Sequence, residues 1–174
     1  YIYVISGSKI VIVNAYPAEN ATIASEIELN GTPTEIFINK DKLVVFGSEH
    51  EQIIYSATAK AGVKAEIYPI PYSPKTFIKI YDISDRSNPK LARNYSIEGS
   101  YYDSRMIGDY VYAVVTQPAY MIYDTVILPK VYCKERITDI QSYQIYYCNV
   151  SDTYYTYTTV VALNIQNDEE KPNN

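Results

Sequence analysis

Residues Phe77 to Thr116, FIKIYDISDRSNPKLARNYSIEGSYYDSRMIGDYVYAVVT, decide the fold. Apolar and polar residues alternate in FIKIYDI, LARNYSI, YDSRMI and DYVYAVV, which predicts four strands, because a pleated strand turns successive side chains to opposite faces. The turn SDRSNPK supplies Asp82, Ser84, Asp85 and Asn88 to hold backbone amides, and Pro89 to set the exit direction. Gly99 breaks the chain between the second and third strands, and Gly108-Asp109 turns the third into the fourth. The chain writes this pattern twice. When Ile10 to Gly47 is laid so that Ile10 falls on Ile78, Ile12 falls on Ile80, Asn20 on Asn88, Ala24 on Ala92, Gly31 on Gly99 and Asp41 on Asp109, without a gap.

A four-strand unit of about 40 residues is the length of one blade of a β-propeller, an array of four-stranded antiparallel sheets. The expected fold class is therefore all-β, with about two complete blades and part-blades at each end of the chain. Residues 1–174 are read as part of one propeller domain. Tyr1 to Ile5 alternates like Tyr110 to Val114, and reads as the outer strand of a closing blade. Residues 9–47 form the first blade, with strands at Lys9 to Asn14, Thr22 to Leu29, Thr34 to Asn39 and Lys42 to Gly47. Residues 48–76 are an insertion between blades, and residues 77–116 form the second blade. Residues 117–158 are a tyrosine-rich insertion that holds both cysteines. Residues 159–174 start a third blade, with Asn164 at the position of Asp82 and Asn14. Closure takes at least about four blades, so the sequence reads as an N-terminal fragment of a propeller.

Composition narrows the function classes. The net charge is -5 and no stripe of Lys or Arg is present, which excludes a nucleic-acid surface built on counterion release. No apolar run is long enough to span a bilayer as a helix, and YIYVISGSK lacks the pattern of a signal peptide. The 21 tyrosines and the abundant Ile and Val suit half-buried pleated surfaces.

Cys133 and Cys148 lie in the strand-like runs VYC and IYYC, on either side of the polar segment KERITDIQSYQ. Pairing of the two runs as a hairpin would bring the sulfurs together as a disulfide; two buried thiols, or a metal or redox pair, are the competing readings. Four Asn-x-Ser/Thr sequons, at Asn20, Asn30, Asn94 and Asn149, are candidate glycosylation sites. Together with the cysteines they favour an extracellular or cell-surface location.

The run YDISDRSNPKLARNYSIEGSYYDSRMIGDYVYAVVTQP, with VILPK downstream, resembles the archaeal and bacterial family of secreted β-propeller proteins distantly related to the WD-repeat proteins. The resemblance extends to YIYVISGSKIVIVNAYP and GTPTEIFINKDKLVVFG. It implies an extracytoplasmic propeller, and it supplies no catalytic residues to carry over.

Chemistry-bearing residues are few. Asp82, Asp85 and Asn88 place oxygen ligands at turn spacing and are candidates for Ca²⁺, but they do not make the Asp-x-Asp-x-Asp-Gly loop, and turn capping is the competing reading. Asp103 and Arg105 share a strand face, from which either could pair with Asp85, Arg86 or Asp109. His50 lies between Glu49 and Glu51 in a polar stretch, and no nucleophile elbow or glycine-rich phosphate loop is present. No catalytic residue and no cofactor are assigned. Tyr143, Tyr146, Tyr147, Tyr154, Tyr155 and Tyr157 are candidate interface residues, because Tyr offers rigid contact area with a hydroxyl at its tip; the competing readings have these rings covering a blade edge or stacking on a glycan. The expected function is a non-catalytic extracytoplasmic module for protein interaction or surface assembly. Its partners would be another protein, the remainder of the same propeller, or a homo-oligomer formed by strand exchange. The alternative is an enzyme or ligand-binding propeller whose channel site other blades complete.

Overall fold

The computed structural model describes residues 1–49, 74–122, 125–133, 136–147, 150–151 and 154–167. His50, Cys148 and Asn149 lie outside these residues. The first antiparallel sheet joins β1 (Ile2–Ser6), β2 (Lys9–Asn14) and β3 (Thr22–Glu28). The second runs in chain order through β4 (Thr32–Asn39), β5 (Lys42–Glu49), β6 (Lys75–Asp82) and β7 (Lys90–Glu98). The third begins with β8 (Ser100–Ile107) and β9 (Tyr110–Pro118). A long excursion then forms a small hairpin of β10 (Tyr120–Ile122) and β11 (Thr125–Ile127), followed by β12 (Lys130–Cys133) and β13 (Arg136–Asp139). Finally β14 (Thr156–Asn164) returns to pair with β9.

The three sheets stack face to face, with the second in the middle. On one side Ile10, Ile12, Ile27 and Leu29 of the first sheet pack with Leu43, Val45, Phe77 and Tyr81 of the second. On the other side Val44, Phe46, Ile78 and Ile80 pack with Val111, Ala113, Val115, Val161 and Leu163 of the third. Leu43 to Gly47 and Lys75 to Tyr81 are therefore buried continuously, on both faces of their sheet. In β9, covered on one face only, burial alternates residue by residue. Burying each large side chain in these two cores stabilises the stack by roughly 1.5–3 kcal/mol.

Blade boundaries differ from the sequence reading. The stretch 9–47 is split between two sheets, and so is 77–116: the repeat unit and the sheet are out of phase by two strands. The chain changes sheet at Gly31 and Gly99, both with positive φ, 130° and 119°. A Cβ at Gly99 would stand 2.7 Å from the Thr116 carbonyl oxygen, and one at Gly31 2.6 Å from that of Ser48. Only glycine fits such a backbone approach. The two insertions, by contrast, lie within sheets. β5 pairs with β6 from Lys42↔Asp82 to Glu49↔Lys75, and β9 pairs with β14 from Tyr110↔Asn164 to Pro118↔Thr156. Each insertion is thus an enlarged hairpin connection at the same repeat position, where β1 and β2 are joined by the tight turn at Gly7-Ser8. Likewise β1 is no strand of a separate closing blade, since it pairs with β2, and β14 completes a third strand beside β9 and β8.

Polar bonds tie the sheets together at their turns. Asn39 Nδ2 donates to the Gly108 carbonyl at 2.9 Å and to Asp109 Oδ1 at 3.0 Å. Ser25 Oγ donates to the Arg86 carbonyl at 2.7 Å, and the Arg86 guanidinium stands 3.1 Å from Asp41. These are not the Asp103 or Arg105 pairings expected from sequence. Arg93, almost fully buried, donates through Nη1 to the Asn164 and Asn167 carbonyls at 2.6 and 2.9 Å, and through Nε to the Tyr95 hydroxyl at 2.8 Å. One guanidinium from β7 therefore holds the turn that follows β14.

Candidate interaction surface

The excursion from β9 to β14 carries most of the candidate residues, and it crosses from the third sheet to the second. Residues Val131 to Cys133 pair with Ile97 to Tyr95 on one edge and with Thr138 to Arg136 on the other, which extends the second sheet to six strands. At this junction the Lys75 ammonium lies 4.1 Å from the centre of the Tyr132 ring, and the Tyr132 hydroxyl donates to Glu98 Oε1 at 2.8 Å. Lys75 and Glu98 are buried register partners, so the foot of the excursion stands on a buried charged pair of positions.

The expected disulfide does not appear. Cys133 is a free, half-buried thiol. At Cys133 both edges of β12 are taken, by Tyr95 and by Arg136, so VYC does not form the hairpin expected with IYYC, whose Cys148 lies outside the described residues.

Beyond β13 the amide of Ile140 donates to the Pro129 carbonyl at 3.0 Å, and a 3-10 turn forms over Ser142–Gln144. Gln141 and Gln144 cap it reciprocally, with the Gln141 amide donating to Gln144 Oε1 at 3.0 Å. This turn presents Tyr143, 82% exposed, and the chain after it presents Tyr146 and Tyr147, 95% and 85% exposed. Tyr154 and Tyr155 are exposed at the entry to β14, where the Ala119 amide donates to the Tyr155 carbonyl at 2.9 Å. Tyr157 is half-buried. Five of the six candidate rings thus face solvent instead of covering a blade edge. A groove of about 330 Å³ runs along Thr156 to Val160, with Pro129, Ile140, Ile145 and Tyr146 on its other wall. Tyr146 and the start of β14 therefore share one surface. Beside Tyr157 in register, the Oε1 of Gln117 is buried without a hydrogen-bond partner among the described residues.

The remaining candidates serve local structure. Asp82 Oδ1 accepts from the Ser84 amide at 2.9 Å and from its hydroxyl at 2.6 Å, and Lys42 Nζ lies 3.3 Å from Oδ2. These bonds, Ser84 first and Lys42 after it, hold the Asp82 carboxyl down at about 2. Asp85 Oδ1 caps the Ser87 amide, and the Asn88 amide donates to the Asp85 carbonyl. Oδ1 of Asp82 and Oδ1 of Asp85 are thus engaged as turn caps, and among the described residues no group of three or more His, Cys, Asp or Glu side chains is placed to share a metal ion. Asn20, Asn30 and Asn94 are exposed.

Sequence reasoning missed a polar tie between the first strands of neighbouring sheets. The Tyr101 hydroxyl donates to the Glu35 carboxylate, which also accepts from Ser104 Oγ at 2.8 Å. Burial, and then Glu35, push the Tyr101 hydroxyl up to about 12. A hydroxyl so held keeps its proton throughout the neutral range, and the cluster acts as a fastener. Its signal was obscure, because Glu35 is equivalent in the repeat to Asp103, which caps the Ser104 amide instead.

Among families of known proteins, the one described as Beta propeller domain (Beta_propel) matches residues 1–174. No curated protein and no solved structure matches the chain. No helix among the described residues is long and apolar enough to cross a membrane.

Proposed function

The chain belongs to the beta-propeller domain family, and from that premise we propose that it is a non-catalytic, extracytoplasmic interaction module that works in surface assembly. Its stacked sheets form a rigid platform, and the excursion between β9 and β14 is the part that meets a protein partner. The observation that carries this reading is the exposure of Tyr143, Tyr146, Tyr147, Tyr154 and Tyr155 on a segment anchored to the second sheet through β12. Exposed aromatic rings on a fixed support supply contact area at small entropic cost. The exposed sequons at Asn20, Asn30 and Asn94 support a location outside the cytoplasm.

The test is labelling of intact cells with a membrane-impermeant reagent, followed by cross-linking and peptide mapping. The reading expects the protein to be labelled from outside, with cross-links to other proteins concentrated in residues 141–157. Protection of the protein in intact cells would remove the location, and cross-links confined to other surfaces would remove the assigned face.

A further inference from the structure

We infer, building on that reading, that the tyrosine face docks a second copy of this chain. Tyr143, Tyr146, Tyr147, Tyr154 and Tyr155 stand mostly in solvent. A tyrosine carries about 150–250 Å² of surface, so the five offer on the order of 800 Å². That is about the area each partner gives to a stable interface of standard size.

Charge selects the occupant. The chain carries a net charge of -5, so two copies repel each other over most of their surfaces. From Gln141 to Asn167 the only charged residue is Asp152; the rest of that stretch is Tyr, Ser, Thr, Gln, Asn and apolar residues. An acidic protein can there meet its own kind with few like charges brought together. A stretch that holds one carboxylate and no cation has no means of attracting a polyanion. Rings on two copies related by a two-fold axis meet in offset or edge-to-face pairs, which aromatic groups favour.

Sedimentation equilibrium of the purified chain, from about 1 to about 100 µM, tests this. The expected result is a monomer–dimer equilibrium in that range which rising salt leaves unchanged or tightens, since screening acts on repulsion alone. The double substitution Tyr146→Ser, Tyr147→Ser weakens it at least about tenfold with an unchanged melting temperature, because neither ring is in a core. Tyr16→Ser, in the turn between β2 and β3 of the first sheet and 88% exposed, leaves it intact. A monomer throughout the range, a dimer indifferent to Tyr146 and Tyr147, or a dimer dissolved by salt overturns self-docking. If the monomeric chain still cross-links to other proteins through residues 141–157, self-docking falls and the interaction reading stands; if it does not, both fall.

Discussion

Lys40 occupies a backbone position that favours glycine. Its φ is 55°, in the turn between β4 and β5, and its counterpart in the turn between β8 and β9 is Gly108, with φ 59°. A side chain there costs about 1 kcal/mol, and the exposed ion pair from Lys40 to Asp109 returns little of it. Lys40→Gly is expected to raise stability by up to about 1 kcal/mol, read as a higher urea midpoint. Gly99→Ala is expected to act in the opposite sense and lose more than about 1 kcal/mol, because the new methyl would meet both the Thr116 carbonyl and the Val115 side chain. Asp82 gives a pH signature. Its carboxyl sits at about 2 in the folded chain against an ordinary value near 3.8. The charged form is the one that folding favours, so its contribution is present above the ordinary value and is lost as pH falls through about 2. Asp82→Asn keeps a capping oxygen, as Asn164 does at the equivalent turn. In urea titrations between these two pH values the variant's midpoint should fall less steeply than that of the parent.

At the scale of elements, Arg93 is the test of how the second and third sheets are joined. Arg93→Met keeps the aliphatic stem but leaves the Asn164 and Asn167 carbonyls without their donor. A loss of about 2–3 kcal/mol is expected, with hydrogen exchange accelerating in β14 more than in β2. Strands were legible wherever one face is wet, as in the alternation of β9, and the hairpins at Lys40-Asp41 and Gly108-Asp109 fell where the turn residues placed them. The phase of the blades was not legible. A translational repeat is the same whichever strand opens it, and the long insertions drew the boundaries to themselves while the sheet changes at a single glycine. The proposed hairpin of VYC with IYYC failed for a related reason. Local apolar runs announce that a strand exists, but Cys133 found its neighbour in Tyr95 of a strand distant in sequence, which no local pattern encodes.

Seen as a whole, the molecule is a middle sheet buried on both faces, two outer sheets, and one excursion that straps the third sheet to the second before turning its tyrosines outward. The abundance of tyrosine was plain in the sequence; which of these rings face water was not, because Tyr95 and Tyr147 are equally tyrosine, yet one bonds Arg93 in the interior and the other stands in solvent. The measurement that tests the central claim most directly is oxidative footprinting of individual tyrosines, on the dilute chain and on the protein in its assembled state. Tyr143, Tyr146, Tyr147, Tyr154 and Tyr155 should lose reactivity on assembly, while Tyr16, 88% exposed in the turn between β2 and β3 of the first sheet, keeps its own. Equal reactivity of the five rings in both states, or protection centred on Tyr16, would contradict the claim that this excursion is the contact surface.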